Sequence, residues 1–146
     1  MSGRPAGDSA EQRKAGDWLL QQISERLGVP LTSKRIPLDG GSYVELDGFS
    51  ESPTVLCEIW AHIGPPKGAQ KNKVMTDAMR LTFVRQRLGG DAKCVLVFAD
   101  SDAAAPFQRG TWMAECLSHF GITVEVVSMP EPMRDRVLKA QARQYR

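Results

Sequence analysis

The chain reads Tyr-Val-Glu-Leu-Asp-Gly-Phe over residues 43–49 and Val-Leu-Cys-Glu-Ile-Trp over residues 55–60. Apolar, β-branched and aromatic residues dominate both stretches, which predicts two adjacent β-strands. Each stretch carries one carboxylate, Asp47 or Glu58, at a position where the pattern of the strand predicts burial. A buried carboxylate is costly unless it is paired, hydrogen-bonded or bound to a metal ion. These two side chains are therefore the strongest indication of function in the sequence.

The segments around these two strands predict an α/β protein. Apolar residues recur at helical spacing in several segments, and other short apolar runs are typical of strands. In chain order we predict a helix over 9–27, strands over 31–37, 43–49 and 54–61, a helix over 67–88, a strand over 93–99, a helix over 107–120, a strand over 122–127 and a basic helix over 133–144. Right-handed crossovers between the later strands favour a three-layer α/β/α sandwich with a central mixed five-stranded sheet.

Length and composition are those of an ordinary globular protein. The chain has 146 residues, 42% of them hydrophobic and 25% charged, and its net charge of +2 is too small to indicate nucleic-acid binding by itself. We expect residues 1–8 to form a disordered leader and residues 9–146 to form one domain. Cys57 and Cys94 lie in apolar strands, so we expect buried, reduced thiols and a cytoplasmic location. No apolar run is long enough to span a membrane, so we expect no membrane partner.

Alternation along the two strands brings their carboxylates toward each other. Asp47 is predicted to share a face with Glu45 and Phe49, and Glu58 is predicted to share a face with Trp60. Neighbouring strands lie about 5 Å apart, so Asp47 and Glu58 converge if the register places them on the same face. A divalent cation is a common way to relieve the repulsion between two such carboxylates.

The helix predicted over residues 67–88 turns polar groups toward the sheet. Four polar residues fall on or beside the arc of its apolar stripe. The stripe consists of Val74, Ala78, Leu81, Val84 and Leu88, and the polar residues are Gln70, Lys73, Asp77 and Arg80. Asp77 and Arg80 also fit an internal ion pair of little functional weight. A lysine beside two carboxylates suits phosphate chemistry, because carboxylates hold a metal ion and the lysine stabilises negative charge on the phosphate.

Asp47, followed by Glu58 on the adjacent strand within a helix–strand–strand–strand–helix–strand order, resembles the PD-(D/E)xK nuclease superfamily, which has the restriction-endonuclease-like fold. Over about residues 10–128 the chain looks like a group of small bacterial proteins of unassigned function in that superfamily. The residues that carry this likeness are Val44-Glu45-Leu46-Asp47-Gly48, Glu58-Ile59-Trp60-Ala61, Gly64, Lys67, Gln70, Lys73, Asp77 and Arg80-Leu81. The resemblance implies that Asp47, Glu58 and the backbone carbonyl of Ile59 bind Mg²⁺ or Mn²⁺. It also implies metal-dependent hydrolysis of nucleic acid, with DNA as the expected substrate, to leave a 5′-phosphate.

One position departs from the superfamily pattern. The lysine that positions or activates the attacking water usually follows the Glu by two residues, and this chain has Trp60 there. Some members carry the lysine on the following helix, where Lys73 is the best-placed substitute and Lys67 the second. Gln70 resembles the helical Gln that contacts substrate or water. The alternative is a catalytically inactive nuclease-fold domain that binds nucleic acid or a partner protein. In either case a homodimer or a partner protein would have to supply any sequence specificity.

The same residues have structural interpretations. Asp47-Gly48 also suits a turn at the end of a strand, and an ion pair with Lys73 would satisfy a buried Glu58. His62 follows a strand end, where a lone histidine is more often hydrogen-bonded than catalytic. We predict residues 100–105 to be a polar loop. This loop would bind ligand only in a third and weaker alternative, a small-molecule α/β domain.

Overall fold

The computed structural model describes residues 10–144, so the expected leader lies outside the described residues. Within this range the helices are α1 (Ala10–Leu27), α2 (Gly68–Arg87), α3 (Ser101–Gln108), α4 (Trp112–His119) and α5 (Glu131–Gln144). The strands are β1 (Thr32–Pro37), β2 (Tyr43–Glu51), β3 (Thr54–Trp60), β4 (Lys93–Phe98) and β5 (Ile122–Val126). None of the helices in residues 10–144 has the length and apolar character needed to cross a membrane.

The strands form one mixed five-stranded sheet in the order β1-β2-β3-β4-β5. β2 pairs antiparallel with both β1 and β3, whereas β3, β4 and β5 run parallel to one another. The first three strands are therefore a meander, and helical crossovers connect the parallel strands. This arrangement confirms the predicted α/β class and the mixed five-stranded sheet.

Helices pack on both faces of this sheet. One apolar cluster joins the sheet to α2, α3 and α4, and a second cluster joins it to α1 and α5. The side chains of β4 alternate between the clusters, with Leu96 and Phe98 in the first and Val95 and Val97 in the second. Burial of one such side chain contributes about 1.5–3 kcal/mol, so β4 ties the two layers of helices to one core.

The cysteines are free thiols, as the apolar runs around them predict. Cys57 and Cys94 are buried, and Cys116 is partly buried. Burial raises the pKa of the Cys57 thiol, and the nearby carboxylates of Asp47 and Glu58 raise it further. Cys57 is therefore a protonated core side chain that is unsuited to nucleophilic chemistry.

The apolar stripe predicted for α2 is confirmed except at its end. Val74, Ala78, Leu81 and Val84 are all buried against the sheet. Leu88, the C-cap residue at the end of α2, is 43% exposed, so its predicted place in the buried stripe is wrong.

The prediction of a polar loop over residues 100–105 is wrong. Asp100 is the N-cap residue of α3, and the helix begins immediately after it. Ala103, Ala104 and Phe107 are buried at helical spacing. Their burial against the sheet outweighs the polar character of the residues before them.

The single helix predicted over residues 107–120 is also wrong, because it is interrupted. Gly110 has a φ of +77°, a conformation that glycine adopts easily and that commonly ends a helix. Thr111 then caps α4, and its hydroxyl oxygen accepts a hydrogen bond of 3.0 Å from the backbone N–H of Ala114. The apolar spacing does not reveal the break, because α3 and α4 bury their side chains in the same cluster.

β2 contains a bulge next to the expected site. Thr32 of β1 lies opposite Phe49, but Lys34 lies opposite Leu46, so residues 47–48 of β2 face a single residue of β1. The extra residue places Leu46 and Phe49 in the same apolar cluster. Simple alternation placed them on opposite faces, and that prediction is wrong beyond the bulge.

Gly48 has no room for a side chain at this bulge. A Cβ atom at residue 48 would lie 2.6 Å from Cδ1 of Leu20 and 3.2 Å from Cβ of Cys57. We expect Gly48→Val to lower the free energy of unfolding by about 1–3 kcal/mol, the usual cost of overpacking, when measured by urea denaturation. Gly40→Val is the matched control, because a Cβ at residue 40 has no neighbour within 4 Å. Equal losses in the two variants would contradict this explanation.

Candidate active site

β2 and β3 separate at the bulge, and we call the point of separation the fork. Pairing between the strands ends with Gly48 opposite Cys57. Beyond this last pair, Oδ2 of Asp47 in β2 accepts a hydrogen bond of 2.8 Å from the backbone N–H of Ile59 in β3. The carboxylate therefore takes the place of a backbone acceptor for this N–H. Asp47 is exposed, so the burial that the strand pattern predicts for it is wrong, because the bulge at residues 47–48 breaks the alternation of β2.

Glu58 reaches the same place from β3. It is only 6% exposed and shares the α2 side of the sheet with Leu56 and Trp60. A hydrogen bond joins its carboxyl group to that of Asp47, and burial together with Asp47 raises the pKa of Glu58 to about 10. In the metal-free chain Glu58 therefore holds a proton at neutral pH. Its Oε1 atom is buried without a hydrogen-bond partner among the described residues.

α2 brings a third carboxyl group and a guanidinium to this cluster. Asp77 is 8% exposed, and its Oδ1 atom lies 3.2 Å from Nη1 of Arg80. Burial raises the pKa of Asp77, against the opposing charges of Lys73 and Arg80. Asp77 also raises the pKa of Glu58, whereas Arg80 lowers it. The ion pair predicted from the sequence is confirmed, and both of its members act on the pKa of Glu58.

Lys73 lies at the edge of this cluster. Its side chain is exposed, and its positive charge lowers the pKa of both Asp77 and His62. It forms no ion pair with Glu58, so the alternative in which Lys73 neutralises Glu58 is wrong. The exposed ammonium group of Lys73 keeps its hydration. Burial beside the protonated Glu58 would remove this hydration and offer no negative charge in return.

Lys67 and Gln70 lie at the start of α2. Lys67 is the N-cap residue, and its backbone N–H donates a hydrogen bond of 2.9 Å to Oε1 of Gln70. Gln70 therefore helps to cap its own helix, a structural role that the sequence interpretation did not include. Lys67 is exposed near the loop that leaves β3.

Trp60 occupies the position where the superfamily usually has its lysine. The residue is 7% exposed, and its ring stacks on His62 with 4.4 Å between centroids. Its Nε1 atom is buried without a partner in residues 10–144. Burial and the charge of Lys73 lower the pKa of His62, so this imidazole is neutral at pH 7. The stacked pair indicates a structural role for His62.

The oxygen atoms at the fork suit a hard divalent cation. The N–H and C=O of a strand residue point to the same neighbouring strand, so the carbonyl of Ile59 faces the fork with its N–H. Asp47, Glu58 and this carbonyl are donors of the kind that Mg²⁺ binds, and the unpartnered Oε1 of Glu58 fits a ligand that the protein itself does not provide. Within residues 10–144 no three His, Cys, Asp or Glu side chains are placed to hold one ion. A cation at the fork would therefore take the carbonyl and water as its remaining ligands.

The buried carboxyl group of Glu58 should make stability depend on pH. Its pKa is raised from 4.5 to about 10, so between these values the folded chain binds more protons than the unfolded chain. Stability is then greatest at low pH and is lost as the pH rises toward the folded pKa, by at most about 1.4 kcal/mol per pH unit for one proton. We expect this decline in urea denaturation at rising pH in excess chelator. We expect Glu58→Gln to make it shallower, because the raised pKa of Asp77 still contributes in the same direction. The same slope in both chains would contradict the protonated Glu58.

The structure therefore brings Asp47, Glu58 and Ile59 together at the fork, places Asp77 and Arg80 beside them, and leaves Lys73 at the edge. Lys67 and Gln70 lie at the start of α2 and take part in its capping. Comparison of the chain with protein-family models, with curated proteins and with solved structures gave no match. The functional assignment consequently rests on the geometry of this site and on the sequence resemblance.

Proposed function

We propose that the chain is a restriction-endonuclease-like, metal-dependent nuclease that hydrolyses phosphodiester bonds of DNA at a PD-(D/E)xK-like site. The observation that supports this best is the pairing of Asp47 and Glu58 at the fork, where Oε1 of Glu58 has no partner among the described residues. The order of helix, three-stranded meander, helix and parallel strand also agrees with that fold.

Asp47, Glu58 and the carbonyl of Ile59 would hold Mg²⁺ or Mn²⁺. When bound, such an ion polarises a phosphoryl oxygen and lowers the pKa of bound water. Glu58 must release its proton before its carboxylate can serve as a ligand, so we expect metal affinity to rise with pH. Asp77 raises the pKa of Glu58 and Arg80 lowers it, so both residues influence how readily Glu58 releases this proton.

Lys73 is the residue we assign to the phosphate. Its exposed side chain lies at the edge of the carboxylate cluster, where an ammonium group stabilises the charge that develops on phosphoryl oxygens. In the reaction a water oxygen bonds to phosphorus, and the bond from phosphorus to the 3′ oxygen breaks. The water loses a proton, the leaving oxygen gains one, and the products are a 3′-hydroxyl and a 5′-phosphate. Lys67 is the second candidate for the role of Lys73.

Incubation of the full chain with DNA tests this function directly. We expect cleavage in Mg²⁺ or Mn²⁺, no cleavage in excess chelator, and products that end in a 5′-phosphate. Parallel reactions with double-stranded DNA, single-stranded DNA and RNA identify the substrate. Cleavage that persists in chelator, or an absence of cleavage on all three substrates, contradicts the proposal.

A second candidate is a catalytically inactive nuclease-fold domain that binds nucleic acid or a partner protein. Trp60 favours it, because a buried aromatic ring replaces the usual lysine. Titration with Mn²⁺ separates the two candidates. Retention of nucleic acid without any binding of divalent ions at millimolar concentration would favour the inactive domain.

A further inference from the structure

The loop of residues 61–66, followed by the N-cap residue Lys67, connects the two elements that carry the proposed site. β3, with Glu58, precedes it, and α2, with Lys73, follows it. Gln141 of α5 makes two hydrogen bonds to Ile63 in this loop. Its Oε1 atom accepts from the backbone N–H of Ile63 at 2.7 Å, and its Nε2 atom donates to the carbonyl of Ile63 at 3.1 Å. The side-chain amide therefore pairs with Ile63 as a neighbouring strand would.

Asp100, the N-cap residue of α3, binds the next residue of the loop, Gly64. It is 7% exposed, and its Oδ2 atom accepts a hydrogen bond of 2.8 Å from the backbone N–H of Gly64. Its Oδ1 atom lies 3.0 Å from Nη1 of Arg134, which belongs to α5. Arg134 and Gln141 are two helical turns apart, so they lie on the same face of α5 as the buried Val137.

These contacts fix three successive polar groups of the loop backbone, which are the N–H and C=O of Ile63 and the N–H of Gly64. All three depend on α5, directly through Gln141 or indirectly through the ion pair of Arg134 with Asp100. Because the loop is short, its conformation determines how the start of α2 lies relative to the end of β3. α5 therefore contacts the loop that joins the strand of Glu58 to the helix of Lys73, and it can influence the distance between these two side chains.

We propose that Gln141 and Arg134 are positioning residues, which hold the loop of residues 61–66 so that Lys73 of α2 is correctly placed relative to Asp47 and Glu58. This inference rests on the proposed nuclease function. α5 then contributes to the reaction without touching the substrate, since it fixes the geometry in which Lys73 meets the phosphate.

Two variants and one control test this role. Gln141→Met removes both hydrogen bonds to Ile63 with little change in side-chain size, and Arg134→Met removes the partner of Asp100. Arg136→Met is the control, because Arg136 is exposed on the same helix and has no hydrogen bond to the loop. We expect kcat for DNA cleavage to fall on the order of 10- to 100-fold in the first two variants, with KM unchanged, and to stay at the wild-type value in the control.

Hydrogen exchange separates positioning from loss of folding. We expect faster exchange of the Ile63 and Gly64 amides in Gln141→Met, while the amides of β4 exchange as in the wild-type chain. Gln141→Glu keeps the acceptor for the Ile63 N–H but loses the donor to its carbonyl, so its kcat should lie between those of wild type and Gln141→Met. An unchanged kcat in Gln141→Met, or a loss that merely follows the unfolded fraction, overturns the positioning role. If the wild-type chain does not cleave DNA at all, the proposed function fails together with this inference, whereas an active wild type with an equally active Gln141→Met overturns this inference alone.

Discussion

Asp47→Asn and Glu58→Gln should each reduce metal-dependent DNA cleavage on the order of 1,000-fold or more. Each change removes one of the two carboxyl groups that would bind the ion and keeps the shape of the side chain. A metal ion stabilises the transition state by several kcal/mol, and every 1.4 kcal/mol corresponds to about a tenfold change in rate. Single-turnover cleavage of labelled DNA at saturating Mg²⁺ measures the effect without a contribution from product release.

Asp39→Asn is the matched control for these variants. Asp39 lies in the exposed turn between β1 and β2, where Arg87 is its ion-pair partner. We expect wild-type cleavage from this control. Glu58→Gln should also remain folded, because glutamine resembles the protonated glutamic acid that the raised pKa of Glu58 implies. Full cleavage by both Asp47→Asn and Glu58→Gln would refute the assignment of the site.

Lys73→Met should lower kcat on the order of 100-fold and leave the affinity for the metal ion nearly unchanged. The reason is that Lys73 is assigned to the phosphate in the proposed mechanism, whereas the proposed ligands of the metal ion are Asp47, Glu58 and Ile59. Removal of one electrostatic donor from a transition state commonly costs about 100- to 1,000-fold in kcat. Rates from single-turnover cleavage and affinities from Mn²⁺ titration together give the two quantities.

Lys71→Met controls for the general loss of positive charge from α2. Lys71 lies on the same helix, two residues before Lys73, and no ion pair joins it to the carboxylate cluster. We expect this variant to cleave DNA at nearly the wild-type rate. Equal rates for the Lys71 and Lys73 variants would show that Lys73 has no special role, and would move the assignment to Lys67 or to the inactive domain.

The parts of the fold that a periodic pattern determines could be predicted from the sequence. The continuous apolar run of β4 predicts burial on both faces, and Val95 and Leu96 do enter opposite clusters. The alternating pattern of β3 places Glu58 inside the protein, where the structure has it. Burial of the matching periodic face is the largest favourable term in folding, so such patterns are seldom overridden.

Other features depend on contacts between distant segments and could not be predicted. The bulge at residues 47–48 follows from the close packing of Gly48 against Leu20 and Cys57, and nothing in the local pattern of β2 indicates it. The hydrogen bonds from Gln141 to Ile63 join residues that are far apart in the chain, although a polar residue on the buried face of a helix is a signal that would have found Gln141.

The site shows the same division between local and distant contacts. The pairing of β2 with β3 brings the carboxyl groups of Asp47 and Glu58 together, but the strand pattern left the register open and did not predict that Asp47 is exposed at the bulge. The surroundings of Lys73 were predicted less well, because helical phase gives the direction of a side chain but not its distance from Glu58. Its exposure reflects the hydration of an ammonium group, which helical phase does not include.

A crystal structure of the chain soaked in Mn²⁺ above pH 7 tests the central claim most directly, because the anomalous signal identifies the ion and its ligands. We predict a Mn²⁺ ion at the fork, bound by the carboxylates of Asp47 and Glu58 and by the carbonyl of Ile59. The hydrogen bond between the two carboxyl groups should be absent, since Glu58 must lose its proton to bind the ion. An ordered fork that holds no ion at millimolar Mn²⁺, with Glu58 still hydrogen-bonded to Asp47, would contradict the metal-dependent site.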